Sequence, residues 1–319
     1  MTKKKWLWCG TAVSAAAGLG YATWQRSRIV LKTRHDVPAE HSRRLLERAA
    51  PLLRLPASSD QAPQVLPDGS GLRSPSTGRI YTYGRGDGRG DGRGILDLLP
   101  AEPDQTFTQK ALDTPLTAWF YDRFRETITG ALNSPDFAGE VVHIQQDLQG
   151  GPGDTILDLA CGQGNFTVEW AKRVGPAGLV IGLDISLAML ERAAYHVNRW
   201  GLDNVLLIRG DAHQLPFADG VLHKVNCSGG FHQFPNLLQA LREIARVSAP
   251  GAVLTASTFA EGVDDNRAPI KRWLKRRFDL HFVPLADLGD QLGALGYGSY
   301  EWLLPGGGWF GYTASHKTV

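Results

Sequence analysis

The sequence is poor in cysteine and carries no strong excess of either charge. Its 319 residues hold three cysteines, Cys9, Cys161 and Cys227, with no Cys-x-x-Cys pair. An odd, sparse set of this kind excludes a disulfide scaffold and a structural zinc site, and no metal cluster is visible elsewhere. Lysine and arginine number 34 against 32 aspartates and glutamates, a formal net charge of +2. The electrostatic footprint of a dedicated nucleic-acid binder is therefore missing. What the chain has in quantity is apolar sequence, 43% hydrophobic against 21% charged. That composition buries a core and excludes wholesale disorder. At about 100–200 residues per domain, one or two domains fit the length.

Three zones follow along the chain. Residues 1–28 form the first. Lys3, Lys4 and Lys5 precede an uncharged run of 19 residues from Trp6 to Trp24, closed by Arg26 and Arg28. About 20 apolar residues span a bilayer, and Trp6, Trp8 and Trp24 stand where interfacial aromatics lie. An uncleaved membrane anchor is the expectation. A cleaved signal or targeting peptide is the main rival, since the start is basic and small residues dominate the centre. A buried helix is the third reading. Cys9 is too early for a lipoprotein, and Leu7-Trp8 forms no lipobox.

Residues 29–113 are expected to be a basic, Gly/Pro-rich linker region. An amphipathic helix over Glu40–Leu55 carries Arg43, Arg44, Arg48 and Arg54. It either lies on anionic lipid or is a solvated helix with one apolar face. Pro- and Ser-rich sequence follows from Pro56 to Pro75. Between Gly84 and Gly94, six glycines occur in eleven residues, alternating with Arg and Asp. Such a tract forms neither a helix nor a stable strand and reads as flexible linker.

Residues 114–319 carry the fold. Strand-like runs at Thr155–Leu159, Leu179–Leu183, Val205–Arg209, Val221–Cys227 and Ala252–Thr258 alternate with helical patterns at Asn165–Val174, Ala188–Trp200 and Asn236–Val247. Short β-branched runs separated by helices predict a parallel sheet covered on both faces, an α/β doubly wound, Rossmann-like domain. The tail, Tyr300–Leu304, Gly306–Gly308 and Trp309–His316, predicts a β-hairpin.

The chemistry sits at the strand ends. Asp158 and Leu159 end the first strand, and Gly162 and Gly164 turn the chain into a helix, where glycine lets backbone approach a ligand closely. Asp184 ends the second strand, 26 residues after Asp158. A carboxylate there can accept both hydroxyls of a ribose. Asp211 ends the third strand, 27 residues later. It can accept from an exocyclic adenine amine, with the Ala212 amide facing a ring nitrogen. The three form one crevice along the carboxyl edge of the sheet. A dinucleotide fold wants a small third residue where Thr167 stands, behind the bulky Phe166. The acid at Asp158 repels phosphate and favours an amino or sulfonium group. Both points favour S-adenosyl-L-methionine over NAD.

At these residues the chain resembles the class I S-adenosylmethionine-dependent methyltransferases, in the branch that holds the ubiquinone and menaquinone biosynthesis enzymes. The resemblance rests on Leu157-Asp158-Leu159-Ala160-Cys161-Gly162-Gln163-Gly164, on Gly182-Leu183-Asp184-Ile185-Ser186, on Gly210-Asp211-Ala212 through Phe217, and on Glu243 to Val247 with Pro250-Gly251. It implies a seven-stranded sheet whose sixth and seventh strands are antiparallel. It implies that Gly162 and Gly164 pass the methionine moiety and sugar, and that Asp158 orients the methionine amino group through water. Asp184 would bind the ribose, Ile185 would pack on the adenine and Asp211 would hold its amine. Asn226 and the Ser228–His232 segment would face the transferred methyl, and Tyr121 would lie in a lid. The implied acceptor is small and hydrophobic, a lipid or quinone-like molecule. His232, directly after the fourth strand, is the candidate base; His213, His223 and His281 are weaker, and Cys161 and Cys227 read as packing.

Methyl transfer itself asks mainly for alignment and exclusion of water. The basic segment Val263–Asp279, with Trp273 and Phe278, is expected near the acceptor entrance. There it either touches headgroups or is a solvated face. A membrane-associated enzyme is expected, with its catalytic domain on the cytosolic or stromal side where the cofactor is made. The rivals are a non-catalytic cofactor-binding scaffold and an NAD-dependent oxidoreductase. A nucleic-acid methyltransferase is disfavoured, because no Asn/Asp-Pro-Pro-Tyr tetrapeptide follows the fourth strand.

Overall fold

The computed structural model of the chain describes residues 39–56, 61–83, 94–99, 105, 109–110, 113–121, 123, 137–261, 276, 282–303 and 310–318. The run Trp6–Trp24, the glycine tract 84–93 and all of Val263–Asp279 except Arg276 lie outside them. Among the described residues no helix is long and apolar enough to cross a membrane.

The predicted strands form. They are β5 (Thr155–Leu159), β6 (Leu179–Asp184), β7 (Val205–Arg209), β8 (Leu222–Ser228) and β9 (Ser248–Glu261). The tail hairpin is β11 (Tyr297–Leu303) and β12 (Phe310–Lys317). The order across the main sheet is β11-β12-β9-β8-β5-β6-β7-β4, where β4 is Ile95–Asp97, and β10 (Val283–Pro284) pairs with the end of β9. Strands β8, β5, β6 and β7 pair in parallel, as does β9 with β8, and β12 runs antiparallel to β9. The doubly wound sheet with an antiparallel last strand is thus as expected. Of the hairpin, β12 is the strand that opposes the rest, since β11 is antiparallel to β12.

Two apolar clusters cover the two faces. On one face, α2 (Phe137–Leu148), α3 (Asn165–Val174) and α4 (Leu187–Arg199) bury Ile144, Trp170 and Leu190 against Ile156, Val180 and Leu207. On the other, α5 (Leu237–Val247) and α6 (Leu285–Ala294) bury Leu241, Ile244 and Leu292 against Leu157, Val225 and Leu254. Parallel strands are usually joined by a crossover helix. The β7–β8 connection, Gly210–Val221, contains none. Without another cover, the apolar side chains of Leu206 and Ile208 would face water.

The cover comes from the segment expected to be a linker, and that expectation is corrected here. Helix α1 (Ala39–Ala49) buries Leu45, Leu46 and Ala49 in the same cluster as Leu206 and Ile208. Its charged residues face outward, with Arg43 and Glu47 paired at 2.8 Å one turn apart. The apolar face of this helix is therefore used inside the protein, not on lipid. Pro51 stops it, and the chain beyond is stitched to the β7–β8 loop. Arg54 donates its backbone N–H to Pro216 at 3.0 Å, and Ala218 donates to Leu52 at 2.8 Å. A small antiparallel sheet follows, β1 (Gln64–Val65), β2 (Gly71–Arg73) and β3 (Ile80–Thr82). Then β4 (Ile95–Asp97) adds itself in parallel to the edge strand β7. Its Asp97 carboxylate accepts from the Arg209 guanidinium at 3.2 Å. This supplies an eighth strand that the sequence reading did not contain.

If the segment is part of the fold, Leu96→Ala will destabilise the whole domain. Leu96 is fully buried, and such a truncation costs about 2–5 kcal/mol. A urea titration should show one cooperative transition with a lowered midpoint. A linker residue would leave the midpoint where it was.

Candidate functional site

The carboxyl ends of β5, β6, β7 and β8 open onto a cavity of about 320 Å³. Its floor is made by the loop after β5. Ala160, Gly162 and Gly164 all take positive φ, at 54°, 55° and 81°. At Gly162 a Cβ would point into open space, so the residue is glycine for its conformation. At Gly164 a Cβ would stand 2.9 Å from Ala193 Cβ on α4. Gly164 lets α3 and α4 approach, and it caps α3 rather than lining the cavity.

Asp184 reaches the cavity from the end of β6. Its carboxylate accepts from the Gly162 N–H at 2.8 Å and from the Ser186 N–H at 2.9 Å. Burial outweighs these hydrogen bonds and raises its pKa to about 6, with the nearby Asp113 adding to the rise. Ile185, Asp211 and Ala212 also line the cavity. Asp211 Oδ1 is 2.7 Å from His213 Nδ1 and accepts the His213 N–H at 2.9 Å. Burial pushes this carboxyl up, but the two His213 hydrogen bonds and its proximity hold it below the usual range. His213, ranked weak from sequence, is thus a wall residue. Its Nε2 accepts from the Asn236 N–H at 3.3 Å, so Nδ1 carries the proton that Asp211 receives. The β7–β8 loop that presents these groups is pinned by α5. Glu243 accepts from the Leu215 N–H at 2.8 Å, and Arg246 donates to the Leu215 and Phe217 carbonyls at 2.9 and 2.8 Å.

Two expected contacts lie beneath the wall. Asp158 is buried, with its oxygens taken by the Thr167 hydroxyl and, at 2.8 Å, by the Asn226 amide. Asn226 is fully buried. Neither lines the cavity, so Asp158 stands where its expected role toward a methionine amine runs through water, and Asn226 does not itself face the methyl. Burial raises Asp158 to about 6, against its hydrogen bonds from Thr167 and Asn226 and with the charge of Asp184. Cys161 is on the wall and Cys227 is buried; burial, then the two aspartates, push both thiols well up, so neither is a ready nucleophile.

Tyr121 does line the cavity, at the end of helical residues 115–121. That helix is held by Asp113, which sequence reading missed. The Ser186 hydroxyl donates to Asp113 Oδ1 at 2.7 Å while accepting from Met189 N–H at the start of α4. The signal was half present, since Asp113-Thr114-Pro115 is a helix-start pattern; its partner, 73 residues away, was not. His232 also lines the cavity, with its ring 4.4 Å from Phe259 and Nδ1 3.5 Å from the Phe259 N–H. Among the described residues lining the cavity there is no lysine or arginine. Gln163 is there too, and its amide oxygen is buried without a hydrogen-bond partner among the described residues. An acidic, arginine-free crevice with apolar walls suits an uncharged nucleoside carrying a cationic group and disfavours a pyrophosphate. Among the described residues no group of three or more metal-binding side chains occurs.

The comparisons with known proteins agree. Residues 156–251 match a family described as a methyltransferase domain. Over 151 residues the chain is 34% identical to a demethylmenaquinone methyltransferase of Listeria welshimeri, covering 47% of this chain and 61% of that one. Over 160 residues it is 32% identical to a demethylmenaquinone methyltransferase of Staphylococcus aureus, covering 50% of this chain and 63% of that one. The chain thus spans about three-fifths of the length of these relatives. Among solved structures it is similar to a Haemonchus contortus phosphoethanolamine N-methyltransferase 2 in complex with S-adenosyl-L-methionine, at TM-score 0.54 and 16% identity, over 66% of this chain and 60% of that one. It is also similar to the [4+2]-cyclase SpnF, at TM-score 0.52 and 17% identity, over 68% of this chain and 98% of that one. The last two carry the fold alone. Residues 156–251 thus resemble a methyltransferase domain, in line with the S-adenosylmethionine-dependent family that the sequence motifs suggest.

The raised carboxyls make a stability prediction. A folded-state pKa of about 6 against 3.9 unfolded means the native state binds the Asp184 proton more tightly between those values. Stability conferred by that proton is therefore lost as pH rises from 4 through 6. Asp184→Asn should remove this loss. Relative to the variant, the ligand-free wild type should lose up to about 3 kcal/mol between pH 4 and pH 7 in urea titrations. An unchanged difference would contradict the buried carboxylate.

Proposed function

We propose that this chain is an S-adenosylmethionine-dependent methyltransferase acting on carbon or oxygen of a small hydrophobic, quinone-like acceptor. The observation that carries this reading is the cavity rim, where Asp184 and Asp211 stand at successive strand ends with no lysine or arginine among the described lining residues. Demethylated menaquinone precursors are the acceptor that the similar bacterial enzymes' names suggest. In this reading the membrane is reached by the run Trp6–Trp24, and the catalytic domain works on the cytosolic or stromal side.

Asp184 would accept the ribose hydroxyls while its bonds to Gly162 and Ser186 keep the carboxylate aimed. Ile185 would lie against the adenine, and Asp211, oriented by His213, would take its amine. Tyr121 would close the cavity from above, docked through Asp113. Bound there, S-adenosylmethionine would supply an electrophilic sulfonium methyl to the acceptor's nucleophilic atom. His232, on the wall beyond β8, accepts the Phe259 N–H at Nδ1, so its neutral ring carries its proton on Nε2 and shapes the wall; the proton the acceptor gives up would pass to bulk water. Phe166, Phe234 and Phe259 on the walls exclude water, which strengthens alignment of the two reactants.

Calorimetry on the full chain tests the reading. S-adenosylmethionine should bind with micromolar affinity, and Asp184→Ala should weaken it at least tenfold, about 1.4 kcal/mol. Transfer of labelled methyl to a reduced, demethylated naphthoquinone should follow. Binding of NAD in place of S-adenosylmethionine would overturn the assignment. Cofactor binding with no transfer to any lipid-extract component would favour a scaffold.

A further inference from the structure

Strand register brings a row of polar side chains together inside the sheet. Asp158 of β5 pairs with Asn226 of β8, and Asn226 pairs with Thr255 of β9. Partners in register share a sheet face, so the three lie side by side. Ser228, two residues past Asn226, is on the same face, one step nearer the carboxyl edge, and it lines the cavity.

The hydrogen bonds in this row have a fixed direction. An ionised carboxylate only accepts. Asp158 therefore turns the Asn226 NH2 toward itself, at 2.8 Å. The Asn226 carbonyl then points the other way and accepts from two hydroxyls, Ser228 Oγ at 3.0 Å and Thr255 Oγ1 at 3.1 Å. The single proton of Ser228 is consumed inward. What Ser228 offers the cavity is lone pairs.

We propose that Ser228 is a substrate-contacting residue that accepts a hydrogen bond from an O–H or N–H of the methyl acceptor, and that Asp158, acting through Asn226, is the positioning residue that makes it an acceptor. The inference rests on the methyltransferase reading above and adds to it how the acceptor is selected. A group presented to Ser228 as a bare ether or carbonyl meets lone pairs with lone pairs. A hydroxyl or amine is held and, by donating, gains electron density at the atom to be methylated. The buried aspartate of the motif thus acts on the acceptor end of the cavity, whereas Asp184 and Asp211 act on the nucleoside end.

The test uses two small aromatic probes that differ only in the donor, 1-naphthol and 1-methoxynaphthalene, titrated into the full chain above pH 7 with and without S-adenosylhomocysteine. Wild type should prefer 1-naphthol by about tenfold, the upper range for one hydrogen bond. Ser228→Ala should bring the two probes close to equal affinity, and Ser228→Thr, which keeps the hydroxyl, should restore the preference. Asp158→Asn should also lower the preference, because its amide no longer fixes which way Asn226 faces. A merely structural lesion would weaken both probes together and leave their ratio unchanged. Equal binding by wild type, or a preference that survives Ser228→Ala, overturns the proposal. Ser228 is only half-buried at the cavity, so its variants carry the test even if Asp158→Asn does not fold. Failure of S-adenosylhomocysteine to bind, read separately by calorimetry, would sink the methyltransferase reading rather than this one.

Discussion

A parallel sheet must be apolar on both faces and covered on both, because its strands cannot turn one side to water. Much of this structure follows from meeting that demand. Three helices cover one face. On the other, the β7–β8 crossover brings no helix, and α1 from the N-terminal segment fills the place. Leu45, Leu46 and Leu53 bury against the strands there, and the backbone from Leu52 to Arg54 hydrogen-bonds to the β7–β8 loop. The same loop carries Asp211, Ala212 and His213 to the cavity. The segment ahead of the methyltransferase domain is thus a structural brace for the nucleoside end of the site. The link continues through Asp97 to Arg209, whose Nε donates to the Ile185 carbonyl at 3.2 Å.

Covering both faces leaves one edge open. At the carboxyl ends of the strands the turns separate, and the cavity occupies the gap. Two aspartates at neighbouring strand ends are drawn into low dielectric there. Each is stabilised as an anion by two hydrogen bonds, yet burial raises both to about 6. Their partners divide the work. Asp184 is braced by backbone N–H groups and keeps its carboxylate at the cavity, while Asp158 faces side chains beneath the wall. One motif aspartate faces the cavity; the other orders the polar row that ends at Ser228.

Local sequence carried the glycine turns and the helix caps. Ser186 as the N-cap of α4 and Asn236 as the N-cap of α5 both hold the amide three residues on, as their residue types favour. The three-residue strand β4 was illegible because it is too short for periodicity and follows a glycine-rich tract. Helix α1 was legible as amphipathic, but its partner was not, since an apolar stripe does not say whether lipid or protein covers it. His213 was passed over because its meaning depends on Asp211 and Asn236, which lie on two different connections.

The sequence by itself determined the strand and helix alternation, the acids at the strand ends and the family that these resemble. Those are local signals, written in residue type and spacing along one stretch of chain. Tertiary structure decided which aspartate meets the cavity, which hydroxyl proton points inward, and that the N-terminal segment belongs to the fold. These depend on register between strands and on burial, where a one-residue shift would turn Asp158, Asn226 and Ser228 to the opposite face.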